Sequence, residues 1–138
     1  MTLRIASAVH GRFFAFDLVR ALLQRGVATT LFTNYPGYVA RRYGIASPNV
    51  RSNVLHGVTS RILHQLHSRF AFPDAEPVLH PAFSRWAARA VGREPAFDVV
   101  QCFSGVAEEL FRSLRDSPCL KILVRGSAHI SQQAQLLR

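Results

Sequence analysis

The chain has 138 residues, enough for one domain with a hydrophobic core, and 49% of them are apolar, which excludes a disordered chain. Its formal net charge of +9 favours partners that carry phosphate: nucleotides, nucleic acids or anionic lipids. An Arg-rich proteome would give the same balance. No apolar run reaches the ~20 residues that span a bilayer, and no signal peptide precedes the first strand-like segment. Two cysteines in apolar runs do not suggest a secreted disulfide scaffold, so we expect a cytoplasmic protein.

The first third of the chain has the pattern of a strand, a helix and a second strand. Residues 3–9 form a short apolar run, and residues 13–25 then carry apolar side chains every three or four positions up to Gly26. Residues 28–34 are β-branched and apolar. These features predict a right-handed unit with two parallel strands. It lacks the G-x-G-x-x-G motif of nicotinamide and flavin sites.

The same alternation continues to the end of the chain. We expect helices at 38–43, 58–70 and 81–91, strands at 49–55, 97–103 and 120–125, a helix opened by Ser104-Gly105, and a last helix from about His129. This predicts a Rossmann-like α/β fold, a doubly wound parallel sheet of about five strands with helices on both faces. The long crossover after the third strand predicts the strand order 3-2-1-4-5.

The switch point of this sheet lies between the first and fourth strands, where open α/β sheets bind ligands at the carboxyl ends of their strands. Three turns meet at this edge and supply the candidate substrate-binding residues Gly11, Arg12, Ser104, Gly105, Arg125, Gly126 and Ser127. Glycine lets a ligand approach the backbone, and arginine can clamp a phosphate or a carboxylate. His129 could exchange a hydrogen bond with a sugar hydroxyl. Tight turns, ion pairs and helix capping would also explain these residues.

Other residues give weaker evidence for a functional site. His64 and His67 are neighbours on one predicted helix, but without a nearby acid or Cys they do not predict a metal site. The basic run from Arg61 to Arg69 could lie on an anionic membrane at its inner face, or belong to an ordinary surface helix on the sheet. The two cysteines, Cys102 and Cys119, lie in apolar runs and are predicted to be buried thiols.

Three stretches carry a family resemblance. AVHGRFFAFDLVRALLQRG and TLFTNYP resemble the opening strand, turn, first helix and second strand of glycosyltransferase family 4, whose members are retaining enzymes with the GT-B fold. VRGSAHISQQAQLL resembles the fifth-strand turn of one bacterial branch, where a Gly-Ser-x-His turn begins a helix. The resemblance covers essentially the whole chain.

The resemblance implies that residues 1–138 are the N-terminal, acceptor-side domain of a hexosyltransferase-type enzyme. Such an enzyme transfers a sugar from a nucleotide diphosphate sugar to a hydroxyl of a sugar or lipid-linked acceptor, with retention and without a metal or other cofactor. His129 matches an active-site histidine that contacts the transferred sugar, and Gly11 matches a glycine near the donor phosphates or the acceptor. No nucleic-acid partner is expected in this interpretation.

The nucleotide-sugar domain of that family is absent from this chain, and the chain alone is therefore expected to be inactive. The apolar pattern of Ile130, Ala134 and Leu137 runs up to Arg138 without a helix stop signal, which predicts that the protein continues. The alternative is a stand-alone basic α/β module that binds nucleotide or nucleic acid.

Overall fold

A computed structural model describes residues 2–12, 14–125 and 135 of the chain. Its strands are β1 (Arg4–Val9), β2 (Ala28–Thr33), β3 (Val50–Ser52), β4 (Val99–Phe103) and β5 (Leu120–Val124). Its helices are α1 (Ala15–Gln24), α2 (Gly37–Arg42), α3 (Val54–Arg69), α4 (Glu76–Gly92) and α5 (Glu108–Ser113), with a 3-10 turn at Ser47–Asn49. The strands form one parallel sheet in the order β3-β2-β1-β4-β5, which confirms the predicted topology.

Helices cover both faces of this sheet, as predicted. Successive strand residues point to opposite faces, and the neighbours Leu31 and Phe32 of β2 accordingly belong to different hydrophobic clusters. Leu31 packs with Phe16 of α1, and Phe32 packs with Phe83 of α4. Because α3 and α4 together carry the chain from β3 across to β4, the switch point lies between β1 and β4.

The strand predicted at 49–55 is too long, because a helix begins inside it. The side chain of Asn53 accepts a hydrogen bond from the backbone N–H of His56 at 3.1 Å, which satisfies a free donor at the start of α3. Val54 and Leu55 therefore join the helix, and β3 keeps three residues.

Two other predicted helix starts are also wrong. The helix predicted at 81–91 begins at Glu76, because Pro77 fits the first turn, where its missing N–H costs nothing, and the helix continues through Pro81. The helix predicted to open at Ser104-Gly105 begins at Glu108, since Gly105 has a φ of 94°, a left-handed conformation that a helix cannot continue. The helix predicted from His129 lies outside the described residues, except Gln135, which is helical.

Helix α3 touches the rest of the domain at its first turns and buries none of its residues. Its expected apolar stripe is exposed, with Val58 49% accessible. Gly57 lies against the end of β2 so closely that a β-carbon there would overlap the carbonyl oxygen of Asn34. The ring of His56 adds a hydrogen bond from Nε2 to the carbonyl oxygen of Leu79 in α4, at 2.9 Å. These contacts place α3 over one edge of the sheet.

The edge strand β5 is exposed at its apolar residues. Leu120, Ile122 and Leu123 are all at least 40% accessible to solvent, unlike the apolar residues of β1.

The two cysteines, Cys102 and Cys119, are free and buried, which confirms the prediction. Burial raises the pKa of the Cys102 thiol to about 12. In the part of the chain that the structure describes, none of the helices combines the length and the apolar character that crossing a membrane requires.

Replacing Gly57 with alanine tests the close approach of α3. The added methyl group has no space beside the carbonyl of Asn34, so we expect the free energy of unfolding in urea to fall by about 1–3 kcal/mol. The matched control is Gly92→Ala at the end of α4, where a β-carbon meets no atom within 4 Å. That variant should be as stable as the native chain or slightly more so. Equal stability of the two variants would contradict the contact.

Candidate functional site

A cavity of about 260 Å³ opens at the carboxyl ends of β1 and β2, under the first turns of α3. Its polar lining comes from four parts of the chain: His10 and Gly11, Asn34 and Tyr35, Ser60, Arg61 and His64, and Glu76. The site therefore depends on the sheet edge and on both crossover helices. We call it the α3 cavity.

The floor of the α3 cavity is a hydrogen-bonded junction between the turns after β1 and β2. The backbone N–H of Gly11 donates to Oδ1 of Asn34 at 2.9 Å, and Oγ1 of Thr33 donates to the carbonyl oxygen of Gly11 at 3.1 Å. The same Thr33 hydroxyl accepts from the N–H of Tyr35 at 3.2 Å. Gly11 has a φ of 94°, which favours glycine at this turn. Its N–H is already bonded within the protein, so Gly11 shapes the floor.

The rim of the α3 cavity carries one cation and one anion that do not pair. The guanidinium carbon of Arg61 lies 5.2 Å from the centre of the Tyr35 ring, a cation–π contact that orients the side chain. Glu76 occupies the first turn of α4, where the helix dipole favours a carboxylate. Within the described ranges, neither Arg61 nor Glu76 takes part in an ion pair.

Three histidines from distant parts of the chain meet beside the cavity. The ring of His10 contacts those of His56 and His80 edge to face, with centroids 5.3 and 4.8 Å apart. Nε2 of His56 donates to a carbonyl, which leaves its buried Nδ1 without a partner, and Nε2 of His10 is also buried without one. Among the residues that the structure describes, no group of three His, Cys, Asp or Glu is arranged to hold a metal ion.

His10 is neutral at physiological pH, chiefly because its ring is partly buried. Burial, and to a lesser extent the neighbouring His80 and His56, lower the pKa of His10 from 6.5 to about 4. The floor of the α3 cavity therefore contributes no positive charge, and the fixed positive charge at its lining comes from Arg61.

The predicted site residues divide between two places. Ser104, Gly105 and Arg125 together line a second cavity, of about 400 Å³, beyond the ends of β4 and β5. Gly11 lines the α3 cavity, whereas the guanidinium of Arg12 lies over the Tyr43 ring at 4.8 Å and lines neither cavity. The remaining candidates, Gly126, Ser127 and His129, lie outside the described residues.

One contact links the two cavities. A β-carbon on Gly105 would lie 3.3 Å from Nδ1 of His80, so the turn after β4 packs directly on the histidine cluster. His80 in turn contacts His10, which lines the α3 cavity. The two cavities therefore share the switch point between β1 and β4.

Several residues of the α3 cavity were not among the predicted site residues. Asn34 and Tyr35 directly follow the second strand. This position could have predicted them as site residues, because parallel strands end at the same edge of the sheet. Gly57, Arg61 and His64 are four and then three residues apart, which puts them on one helix face. The histidine cluster has no such signal, since its members are far apart in sequence.

Comparison of the chain with protein-family models, with curated proteins and with solved structures finds no match. The chemistry of the two cavities is therefore the basis for a functional proposal. The α3 cavity offers an oriented guanidinium, a carboxylate, a serine hydroxyl and an imidazole around a neutral floor. These groups suit a polar ligand with several hydroxyls.

The lowered pKa of His10 predicts a pH-dependent loss of stability. Between pH 6.5 and about 4 the unfolded chain binds more protons at His10 than the folded chain, so the free energy of unfolding falls as the pH falls. We expect this group to contribute a loss of about 1–2 kcal/mol, because the half-buried ring is partly screened by solvent. Urea unfolding of the native chain and of His10→Gln at both ends of this range measures it. A difference in stability between the two proteins that stays constant with pH would contradict the assignment.

Proposed function

We propose that the chain is the N-terminal, acceptor-binding half of a retaining glycosyltransferase of family 4 that uses a nucleotide diphosphate sugar. The observation that carries the proposal is the pair of cavities at the carboxyl ends of the strands, on either side of the switch point. Open α/β sheets bind ligands at this position. The parallel sheet and its strand order agree with the fold that the sequence resemblance implies.

In this proposal the two cavities have different substrates. The α3 cavity holds the acceptor, because its carboxylate, imidazole and serine hydroxyl suit hydroxyl groups. The cavity with Ser104, Gly105 and Arg125 faces the donor, since a guanidinium stabilises the charge that develops on a leaving diphosphate. His129 contacts the transferred sugar, and the second α/β domain that the family resemblance implies supplies the other donor contacts.

The test uses the protein encoded by the whole reading frame. Incubated with UDP- and GDP-sugars and a mixture of sugar and lipid-linked acceptors, it should release the nucleoside diphosphate, and His129→Ala should lower this rate by about a hundredfold. Arg115→Gln, which changes an exposed cation outside both cavities, serves as the control and should keep the native rate.

Two outcomes would contradict the proposal. A reading frame without a second domain, together with no diphosphate release from any donor, would remove the transferase assignment. An unchanged rate in His129→Ala would remove that histidine from the active site. Tight binding of a short DNA duplex that weakens steeply with salt would instead favour the nucleic-acid module.

We also propose that the protein works at the cytoplasmic face of a membrane, which α3 contacts. This helix buries no residue, and it presents apolar side chains and arginines together over the run from Arg61 to Arg69. Leu55 and Ile62 of α3 are 79% and 52% exposed. Helices of this kind bind anionic lipid surfaces through both apolar burial and charge.

A charge placed on the apolar surface of α3 should weaken membrane binding. Leu55→Asp adds an anion that a lipid surface repels, so we expect about a tenfold lower fraction of protein bound to vesicles with one-third anionic lipid in sedimentation. Val78→Asp, at a similarly exposed apolar position of α4, is the matched control and should bind as the native chain does. Equal loss in both variants, or no vesicle binding by the native chain, would contradict the contact.

A further inference from the structure

The α3 cavity contains two opposite charges that the protein leaves apart. Arg61 and Glu76 both line it, yet no ion pair joins them, and no other described carboxylate is within ion-pair distance of Arg61. Arg12, which follows β1 at the same edge, stacks on the Tyr43 ring. A ligand that enters the cavity therefore meets both a cation and a separate acceptor of hydrogen bonds.

The side chain of Arg61 is oriented by a contact with Tyr35 inside the protein. The guanidinium carbon lies over the Tyr35 ring at 5.2 Å from its centre, and no hydrogen bond within the described residues occupies the guanidinium N–H groups. Gly57, one turn earlier, holds the helix backbone against Asn34. An arginine oriented in this way can form two parallel hydrogen bonds to a carboxylate or a phosphate.

The floor of the cavity supplies no positive charge for the same anion. His10 is neutral, and Oδ1 of Asn34 is bonded to the backbone of Gly11. Next to Arg61 on the α3 face, the imidazole of His64 offers a further hydrogen-bond donor. The anionic end of a ligand is therefore directed to Arg61 and His64 of α3, and its hydroxyls can donate to Glu76, which lines the same cavity.

We propose that the α3 cavity binds an acidic sugar, which is a single sugar unit that carries a phosphate or a carboxylate. The oxyanion binds Arg61 and His64, and the sugar hydroxyls donate to Glu76. The volume of about 260 Å³ is slightly below that of most pockets for drug-sized ligands, which fits one sugar unit better than a chain. This inference rests on the proposed function, because the acidic sugar would be the acceptor or its terminal unit.

Titration calorimetry of the chain with four probes tests the charge preference. The probes are glucose, glucuronate, glucose 6-phosphate and inorganic phosphate, at constant ionic strength. We expect at least one of the two acidic sugars to bind about tenfold or more tightly than glucose and than phosphate alone, since a charge-assisted pair adds to the hydroxyl contacts. Which of the two binds better identifies the oxyanion.

Three variants separate a specific site from a general effect of charge. Arg61→Gln should reduce the affinity for the acidic sugar to that for glucose. Arg85→Gln removes the same charge from an exposed position of α4 that lines neither cavity, and it should leave the affinity unchanged. Glu76→Gln should weaken the binding of all the sugars while it preserves the preference for the acidic one.

Equal affinity for glucose and both acidic sugars would overturn the inference, and so would equal losses in Arg61→Gln and Arg85→Gln. Phosphate that binds as tightly as glucose 6-phosphate would show that the sugar is not recognised, which also overturns it. The proposed transferase is tested separately. An acidic-sugar site without sugar transfer in the whole protein would refute the transferase alone, whereas transfer to neutral acceptors that is unaffected by Arg61→Gln would refute the inference alone.

Discussion

Gly57 brings the backbone of α3 against the carbonyl oxygen of Asn34, and this contact sets where the helix lies. Asn34 also accepts the N–H of Gly11, so one residue joins the turn after β1, the turn after β2 and the first turns of α3. Because α3 buries none of its residues, its position depends on a few contacts such as this one and the hydrogen bond from His56 to Leu79. Gly57 and Asn34 both line the α3 cavity, so this close contact forms part of its wall.

Arginine accounts for 16 of the 17 basic residues, and several of these side chains pack on aromatic rings of the protein itself. Arg4 lies over Phe97, Arg12 over Tyr43 and Arg42 over Tyr38, in addition to Arg61 over Tyr35. A guanidinium can stack in this way and still donate from its edges, which a lysine ammonium does not do as well. Net charge alone therefore says little about function here. The location of each arginine relative to a cavity and a carboxylate is more informative.

The strand order could be predicted from the sequence, because the spacing of apolar residues and the length of the crossover after β3 restrict the topology strongly. The ends of the elements could not, since they depend on single residues such as Asn53 at the start of α3 and Gly105 after β4. The turns at the switch point were predicted, but the α3 cavity was not. Its lining combines residues that only the seating of α3 brings together, and the contacts of His10 with His56 and His80 are purely tertiary.

The burial of Cys102 also controls the reactivity of its thiol. A thiol reacts as the thiolate, and a pKa of about 12 leaves almost none of it at neutral pH while the domain stays closed. Cys119 is likewise buried, and both thiols belong to the cluster that contains α4 and β4. The two thiols can therefore be alkylated only when that half of the core opens. Their alkylation rate reports this local opening without any added label.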